Sequence, residues 1–300
     1  DDWMREGKAK DTNTVIEPMH LVLVEEPEAH LHIQVQQVFI RQAYKVLTNH
    51  KFLKQNLNFT TQLVISTHSS HIAIETTFGN LRYFKRLPEG TECAVATSKV
   101  INLSDVFGDS DQTNKFVTRY LQSTHCDLFF ADAAILVEGV AESMLLPHFI
   151  RSKFPELYQR YITILGVNGR HAHRLSPLIE KLCLPTLVIT DLDPAEKEGY
   201  HKSVVPKRGE GQISGNYAIA KWLMKEKDID KLVDYSEDKK EFSFASPYRF
   251  SIRLAYQTPV KVDFEGEEKE AIPGTFEDCL IYTNYDLFKK IKVTDSGNLV

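Results

Sequence analysis

The sequence contains no glycine-rich phosphate loop of the form G-x-x-x-x-G-K-[ST]. By itself it therefore lacks the backbone cradle and lysine that hold a nucleoside triphosphate. It has no apolar stretch long enough to span a bilayer and no signal-peptide pattern, so no membrane partner is expected. Cysteine is scarce: Cys93, Cys126, Cys183 and Cys279 are scattered and form no C-x-x-C pair. That argues against a disulfide framework and points to reduced, buried thiols in a cytoplasmic protein. Excess positive charge is missing too. A net charge of −5 does not suggest general nucleic-acid binding, although a local basic surface beside a carboxylate cluster remains compatible with it. No internal repeat or low-complexity tract is visible. The remaining composition, 42% apolar and 26% charged over 300 residues, is that of a globular chain with room for two domains. The chain opens at Asp1 in mid-pattern and is expected to be a piece of a longer protein.

The residues that organise the chain are acids at the ends of apolar runs. Leu187-Val188-Ile189-Thr190 reads as a buried parallel strand and stops at Asp191-Leu192-Asp193-Pro194. Carboxylates spaced i, i+2 on a strand share a face, and they repel unless a cation lies between them. An all-oxygen donor set suits a hard divalent ion. Alone, D-x-D before proline fits a solvated turn at least as well. Upstream, however, Ala133-Ala134-Ile135-Leu136-Val137 ends in Glu138-Gly139, and a helical pattern follows from Val140 to about Arg151 with Glu142 in its first turn. Tyr161 to Gly166 reads as a further strand and Leu175 to Leu182 as a helix, so two strands end in acids with a helix, a strand and a helix between them.

This strand-Glu-Gly-helix, then strand-Asp-x-Asp arrangement resembles the Toprim domain of topoisomerases, primases and certain nucleases. Glu138-Gly139-Val140-Ala141-Glu142 is similar to the E-G-x-x-E version of OLD-family (overcoming lysogenisation defect) nucleases, which include the nuclease subunit of Gabija-type anti-phage systems. Two strand ends in the first half carry a second resemblance. Met19 to Val24 reads as a buried strand ending in Glu25-Glu26-Pro27, followed by a helix from about Ala29 to Leu47. Gln62 to Ile65 is another strand, ending in Ser66-Thr67-His68-Ser69-Ser70. These resemble Walker B with its D-loop, and the switch histidine, of an ABC-type ATPase of the RecF, Rad50 and OLD kind. The resemblance implies that Glu25 supports Mg²⁺ (where the family usually has Asp), that Glu26 polarises the attacking water and that His68 contacts the γ-phosphate. No L-S-G-G-Q signature is present, so ATP is expected only in the full-length protein and ATPase activity is not expected of this chain alone.

The expected architecture is α/β: residues 1–110 a partial ABC-type ATPase lobe, 111–130 a linker helix, and 131–300 a Toprim domain with a central, mostly parallel sheet and helices on both faces. Two strands, Leu81 to Leu87 and Cys93 to Ile101, would close the ATPase lobe. A helical insertion is expected over about 195–245, with helices at Asn216 to Lys225 and Asp228 to Tyr235. Phe250 to Tyr256 reads as a strand. Arg170 follows a strand end, where a solvated helix start and a phosphate contact are both compatible with the sequence. The polar stretch Ala195 to Gly215 carries Lys202, Lys207 and Arg208, which could hold a nucleic-acid backbone or simply be solvated. Thr275 is a good N-cap for a late helix, with Asp278 completing a capping box. Glu277 there matches the family's late metal-site glutamate, although Gly274 stands where the family usually has Arg. The family's downstream lysine has Lys289, Lys290 and Lys292 as candidates.

The resemblance thus implies a metal-dependent DNA endonuclease. Glu138, Glu142, Asp191, Asp193 and Glu277 would hold two Mg²⁺ or Mn²⁺ ions, with Glu138, Asp191 and Asp193 as the catalytic acids. The ATPase lobe would dimerise the protein and gate cleavage, and the Gabija resemblance adds a UvrD-like helicase as partner. Competing readings are an SMC-like or RecF-like DNA-binding ATPase with an inert Toprim part, and a topoisomerase- or primase-type Toprim enzyme. Nothing in the sequence argues for the separate catalytic tyrosine or the zinc-type ligands those enzymes need.

Overall fold

The computed structural model describes residues 19–49, 60–87, 89, 94–104, 106, 120, 126–167, 171–197, 203–245, 248–264 and 266–289. In the first unit, β1 (Met19–Glu25) pairs in parallel with β2 (Thr60–Ser66), bringing Glu25 level with Ser66. Between them runs α1 (Ile33–Thr48), which starts later than its apolar spacing suggests. Pro27–His30 forms a separate 3₁₀ turn, and Leu31 and His32 are extended, which interrupts the helix before Ile33. The burial expected of β1 is not met. Leu21 and Leu23 are 47% and 70% exposed, because β2 is the only strand paired with β1 among the described residues. Parallel strands are ordinarily covered on both faces. After β2 comes the short helix α2 (Ser70–Ile74), whose Ile72 and Ala73 are buried.

The second unit is built on a five-stranded sheet in the order β10-β11-β7-β5-β6. Its members are β5 (Ala133–Val137), β6 (Ile162–Gly166), β7 (Thr186–Ile189), β10 (Glu241–Phe244) and β11 (Phe250–Ala255). All neighbours are parallel except the edge strand β10. Two helices supply the crossovers: α3 (Val140–Lys153) joins β5 to β6, and α4 (Ser176–Leu182) leads into β7. The core gathers Leu136, Leu165, Val188 and Ile252 from the sheet with Leu178, Ile179 and Leu182 from α4. Coverage on both faces explains why β5 and the Leu187-Val188-Ile189 run of β7 read as continuous apolar runs, whereas β11 (Phe250-Ser251-Ile252-Arg253-Leu254) alternates.

The stretch after Asp193 is less helical than its sequence suggests. A two-residue ribbon pairs β8 (Pro194–Ala195) with β9 (Ile213–Ser214), followed by a π-helical turn over Ala218–Trp222 and the short α5 (Ile229–Val233). The described part of the polar stretch is pinned rather than structureless. Lys207 N–H donates to Gln212 Oε1, Gln212 Nε2 donates to the Val205 carbonyl, and Gly209 N–H donates to Asp230. A hairpin of β12 (Val260–Phe264) and β13 (Glu267–Ala271) precedes α6 (Phe276–Thr283). Thr275 and Asp278 form the expected capping box on α6, which packs against α3.

One further hairpin, β3 (Arg82–Leu87) with β4 (Thr97–Asn102), does not close the first unit. It pairs with neither β1 nor β2 and docks instead on the second unit. Lys85 Nζ donates to the carbonyls of Leu182 (2.6 Å) and Cys183 (2.7 Å), capping α4 where a cation complements the helix dipole. Ile101 and Leu103 enter the shared core, and Lys99 lies 5.1 Å from the Tyr248 ring centroid. The expected linker helix falls mostly outside the described residues. Of that stretch, Cys126–Phe129 is a 3₁₀ turn, packed against α2, with Cys126, Leu128 and Phe129 buried.

Candidate metal centre

The acids meet because three adjacent parallel strands end at the same edge of the sheet, where open α/β sheets place their ligands. Leu136 is level with Val188, and Ile189 with Ala255. Continuing that register two residues past the pairs sets Glu138 beside Thr190 and Gln257 beside Asp191. The side chains follow: Thr190 Oγ1 donates to Glu138 Oε1, and Gln257 Nε2 donates to Asp191 Oδ1. Gln257 Oε1 also accepts the Leu192 N–H at 2.8 Å. Both aspartates lie beyond β7 rather than on it. Asp193 adopts φ 46°, so a left-handed turn, not strand pleat, brings it back toward Glu138. Asn216 closes the group. Its Nδ2 lies 2.8 Å from Glu138 Oε1, 2.8 Å from Thr190 Oγ1 and 3.3 Å from Asp193 Oδ2.

Burial pushes Asp191 up to about 7. The nearby Glu138, Glu142 and Asp193 charges reinforce the rise, and the Gln257 bond opposes it. Burial likewise raises Glu138, helped by Asp193 and resisted by the Thr190 and Asn216 bonds. Glu142, from the first turn of α3, is only 3% exposed, and its Oε2 is buried without a hydrogen-bond partner. Its carboxyl group rests on Gly139: a Cβ there would lie 2.2 Å from Glu142 Oε2. The glycine of E-G-x-x-E thus leaves room for the Glu142 carboxyl group to fold back onto the backbone at Gly139.

No set of three or more His, Cys, Asp or Glu side chains among the described residues is drawn together as a ready-made cage. The donor chemistry nevertheless fits a hard divalent cation. The donors are all oxygen, one carboxylate oxygen is buried and unpartnered, and several acids raise one another's proton affinity.

Other expected site residues are placed as follows. Glu277 is exposed in the first turn of α6 and is not among the charges acting on Asp191. Arg170 and Lys202 lie outside the described residues, as do Lys290 and Lys292. Lys207 is exposed. Arg208 is engaged in structure, bonding Glu270 at 2.6 Å and Asp234 at 2.8 Å. Lys289 pairs with Asp286. In the first unit the two strand ends converge. Glu26, held at φ 42°, donates its N–H to the Ser66 carbonyl, and its Oε1 lies 3.3 Å from His68 Nε2. His68 N–H bonds Glu28 Oε1 at 2.5 Å, and Glu25 is exposed at the end of β1.

This geometry agrees with comparisons to known proteins. Residues 129–193 match the Overcoming lysogenization defect protein-like TOPRIM domain. This part of the chain is an OLD-like TOPRIM domain. Residues 3–73 match an AAA ATPase domain. The chain is 29% identical over 299 residues to Endonuclease GajA of Bacillus cereus (strain HuB5-5), covering 95% of the chain and 39% of that protein. It is 24% identical over 220 residues to Endonuclease GajA of Bacillus cereus (strain VD045), covering 73% and 33%. The chain therefore spans well under half the length of these curated relatives.

Three residues of the TOPRIM site escaped the sequence reading. Thr190 and Gln257 had a usable signal, since each is a polar residue just past a buried strand that neighbours an acid-bearing one. Asn216 had none: it sits 23 residues beyond Asp193, and only the β8–β9 pairing brings it back.

Proposed function

We propose that this chain is the cleaving part of a metal-dependent DNA endonuclease. The observation that carries the proposal is a buried, unpartnered Glu142 carboxylate whose charge acts on Asp191 together with those of Glu138 and Asp193, at the strand ends of a TOPRIM domain. Glu138, Glu142, Asp191 and Asp193 would hold two Mg²⁺ or Mn²⁺ ions, with Glu277 joining from α6. When bound, such ions supply Lewis-acid stabilisation of the phosphodiester and a more acidic water. The chain's own residues do the rest. Glu138, whose proton affinity burial raises, would be the residue to take or return a proton. Gln257 keeps Asp191 oriented, and the exposed Lys207 would meet a phosphate of the DNA backbone.

Glu25, Glu26 and His68 would form half of a nucleotide site that regulates cleavage rather than driving it, with ATP bound only in the longer protein. The ATPase lobe would dimerise there; an exposed apolar β1 supports burial against further chain. Anti-phage defence, a cytoplasmic setting and a helicase partner of the UvrD type complete the proposal on the resemblance to Gabija-type nucleases, and the similarity to Endonuclease GajA supports its endonuclease part. Among the described residues no helix is long and apolar enough to cross a membrane.

Supercoiled plasmid incubated with the full-length protein and EDTA, Mg²⁺ or Mn²⁺ tests this, beside Asp191→Ala. Metal-dependent nicked or linear product, lost in the variant, is expected. Intact plasmid under every condition, with DNA retained on the protein, would favour an inert TOPRIM binder. Relaxed closed circles would favour a topoisomerase.

A further inference from the structure

Glu138 and Asp193 belong to different loops, yet a single neutral side chain touches both. Asn216 is fully buried, and the orientation of its amide is fixed twice over. Its Oδ1 accepts the Ala218 N–H at 2.9 Å, which places oxygen toward the π-helical turn and nitrogen toward the acids. Thr190 donates its only hydroxyl hydrogen to Glu138, so toward Asn216 it can only accept, again requiring nitrogen on that side. The backbone is fastened as well: Asn216 N–H donates to Ser214 Oγ at 3.2 Å, and Gly215 N–H donates to the Asp193 carbonyl at 2.9 Å. The β8–β9 ribbon therefore ties Asn216 to the loop that carries Asp193.

The amide has two hydrogens and three acceptors around it: Glu138 Oε1, Thr190 Oγ1 and Asp193 Oδ2. It sits between two carboxylates and presents positive partial charge without bringing a full charge. A lysine there would neutralise an acid and compete with a cation, and an aspartate would add to the repulsion.

We infer that Asn216 is a positioning residue of the TOPRIM site, and that the segment after Asp193 folds back to deliver its amide between Glu138 and Asp193. It holds these acids in the cation-binding arrangement before any cation arrives. This inference rests on the metal-dependent reading above, and it deepens that reading by naming an outer-shell group from the inserted segment.

Two variants and two measurements test it. Mn²⁺ affinity is measured by calorimetry on the 300-residue chain, and cleavage kinetics on the full-length protein. Outer-shell partners of metal ligands typically contribute about 10–100-fold in affinity. Asn216→Ala is expected to weaken Mn²⁺ binding by roughly that factor. Asn216→Asp retains the acceptor for the Ala218 N–H, so it preserves any purely structural role of the cap. It is expected to bind Mn²⁺ at least as tightly as the wild type while lowering kcat tenfold or more, with KM for DNA unchanged. Wild-type Mn²⁺ affinity in Asn216→Ala would overturn the inference. So would wild-type affinity and kcat together in Asn216→Asp, which also decides the matter should the alanine variant fail to fold. Tight Mn²⁺ binding by the wild type and the expected loss in Asn216→Ala, with no cleavage by the full-length protein, would refute the nuclease reading and leave the positioning role standing.

Discussion

Asp191→Asn should stabilise the metal-free protein at the pH where it abolishes cleavage. Asp191 titrates at about 7 rather than its usual 3.8, because it is largely buried and faces three other acids. A carboxyl whose folded pKa is raised favours the fold while protonated. That contribution is complete below the unfolded value and is lost as pH rises through the folded value, so the window runs from about pH 4 to about pH 7. At about 1.4 kcal/mol per pKa unit the full shift corresponds to about 4 kcal/mol. Asp191 keeps partial contact with solvent, and screening reduces this to roughly 2 kcal/mol. Asparagine resembles the protonated acid and retains an Oδ1 acceptor for Gln257, so the variant should be free of this penalty.

The assay is urea unfolding in EDTA at pH 5 and pH 8, for wild type and Asp191→Asn. The variant should be more stable by roughly 2 kcal/mol at pH 8, with the gap cut to about half of that at pH 5 and closing only toward pH 4. Saturating Mg²⁺ should reverse the order, since a ligand at a hundred times its Kd adds about 2.7 kcal/mol to the form that binds it. An equal gap at both pH values would refute the electrostatic account. Equal stabilisation of both proteins by Mg²⁺ would refute the placement of the cation at Asp191.

The remaining predictions use other parts of the same geometry. Gly139→Ala places a Cβ 2.2 Å from Glu142 Oε2, and the carboxylate, as the end of a flexible side chain, swings away. Circular dichroism should show a retained fold, while Mn²⁺ affinity by calorimetry falls by about tenfold or more. Gln257→Leu removes the donor to Asp191 and strands the Leu192 N–H, so unfolding at neutral pH should come about 1–3 kcal/mol sooner. Lys85→Met uncaps the carbonyls of Leu182 and Cys183, costing about 1–2 kcal/mol in urea unfolding while Mn²⁺ affinity stays unchanged.

What could be read in the sequence is what local pattern encodes. The runs ending at Val137 and Ile189 are apolar throughout because both faces of β5 and β7 are covered, and a strand that ends in an acid marks the ligand edge of such a sheet. Thr275 and Asp278 declare the start of α6 within four residues. Pairing between distant segments is not encoded that way. The hairpin β3–β4 has ordinary strand composition, and nothing in Arg82 to Leu87 says that Lys85 will cap α4, about a hundred residues away in sequence. Its existence is legible in the sequence; its docking on the second unit is not. The start of α1 is hidden for a different reason: apolar spacing continues back through Leu31, but the turn at Pro27 and the extended backbone of Leu31 and His32 take precedence.

The same distinction explains why the acids were readable and their partners were not. An acid at the end of a buried strand departs from the run before it, and the departure is visible. An asparagine beside a glycine in a polar stretch departs from nothing, and Gly215-Asn216 reads as turn chemistry. Its role appears only when β8 and β9 pair and bring it within 2.8 Å of Glu138. The cost of keeping four carboxylates at one sheet edge has to be met somewhere in the fold before a cation binds. Thr190, Gln257 and Asn216 meet part of it with neutral donors, and burial, with the neighbouring acids, still holds the proton affinity of Asp191 and Glu138 above the usual carboxylate range. A fully compensated site would have no use for a cation, so the incomplete compensation is what would draw one to the proposed site.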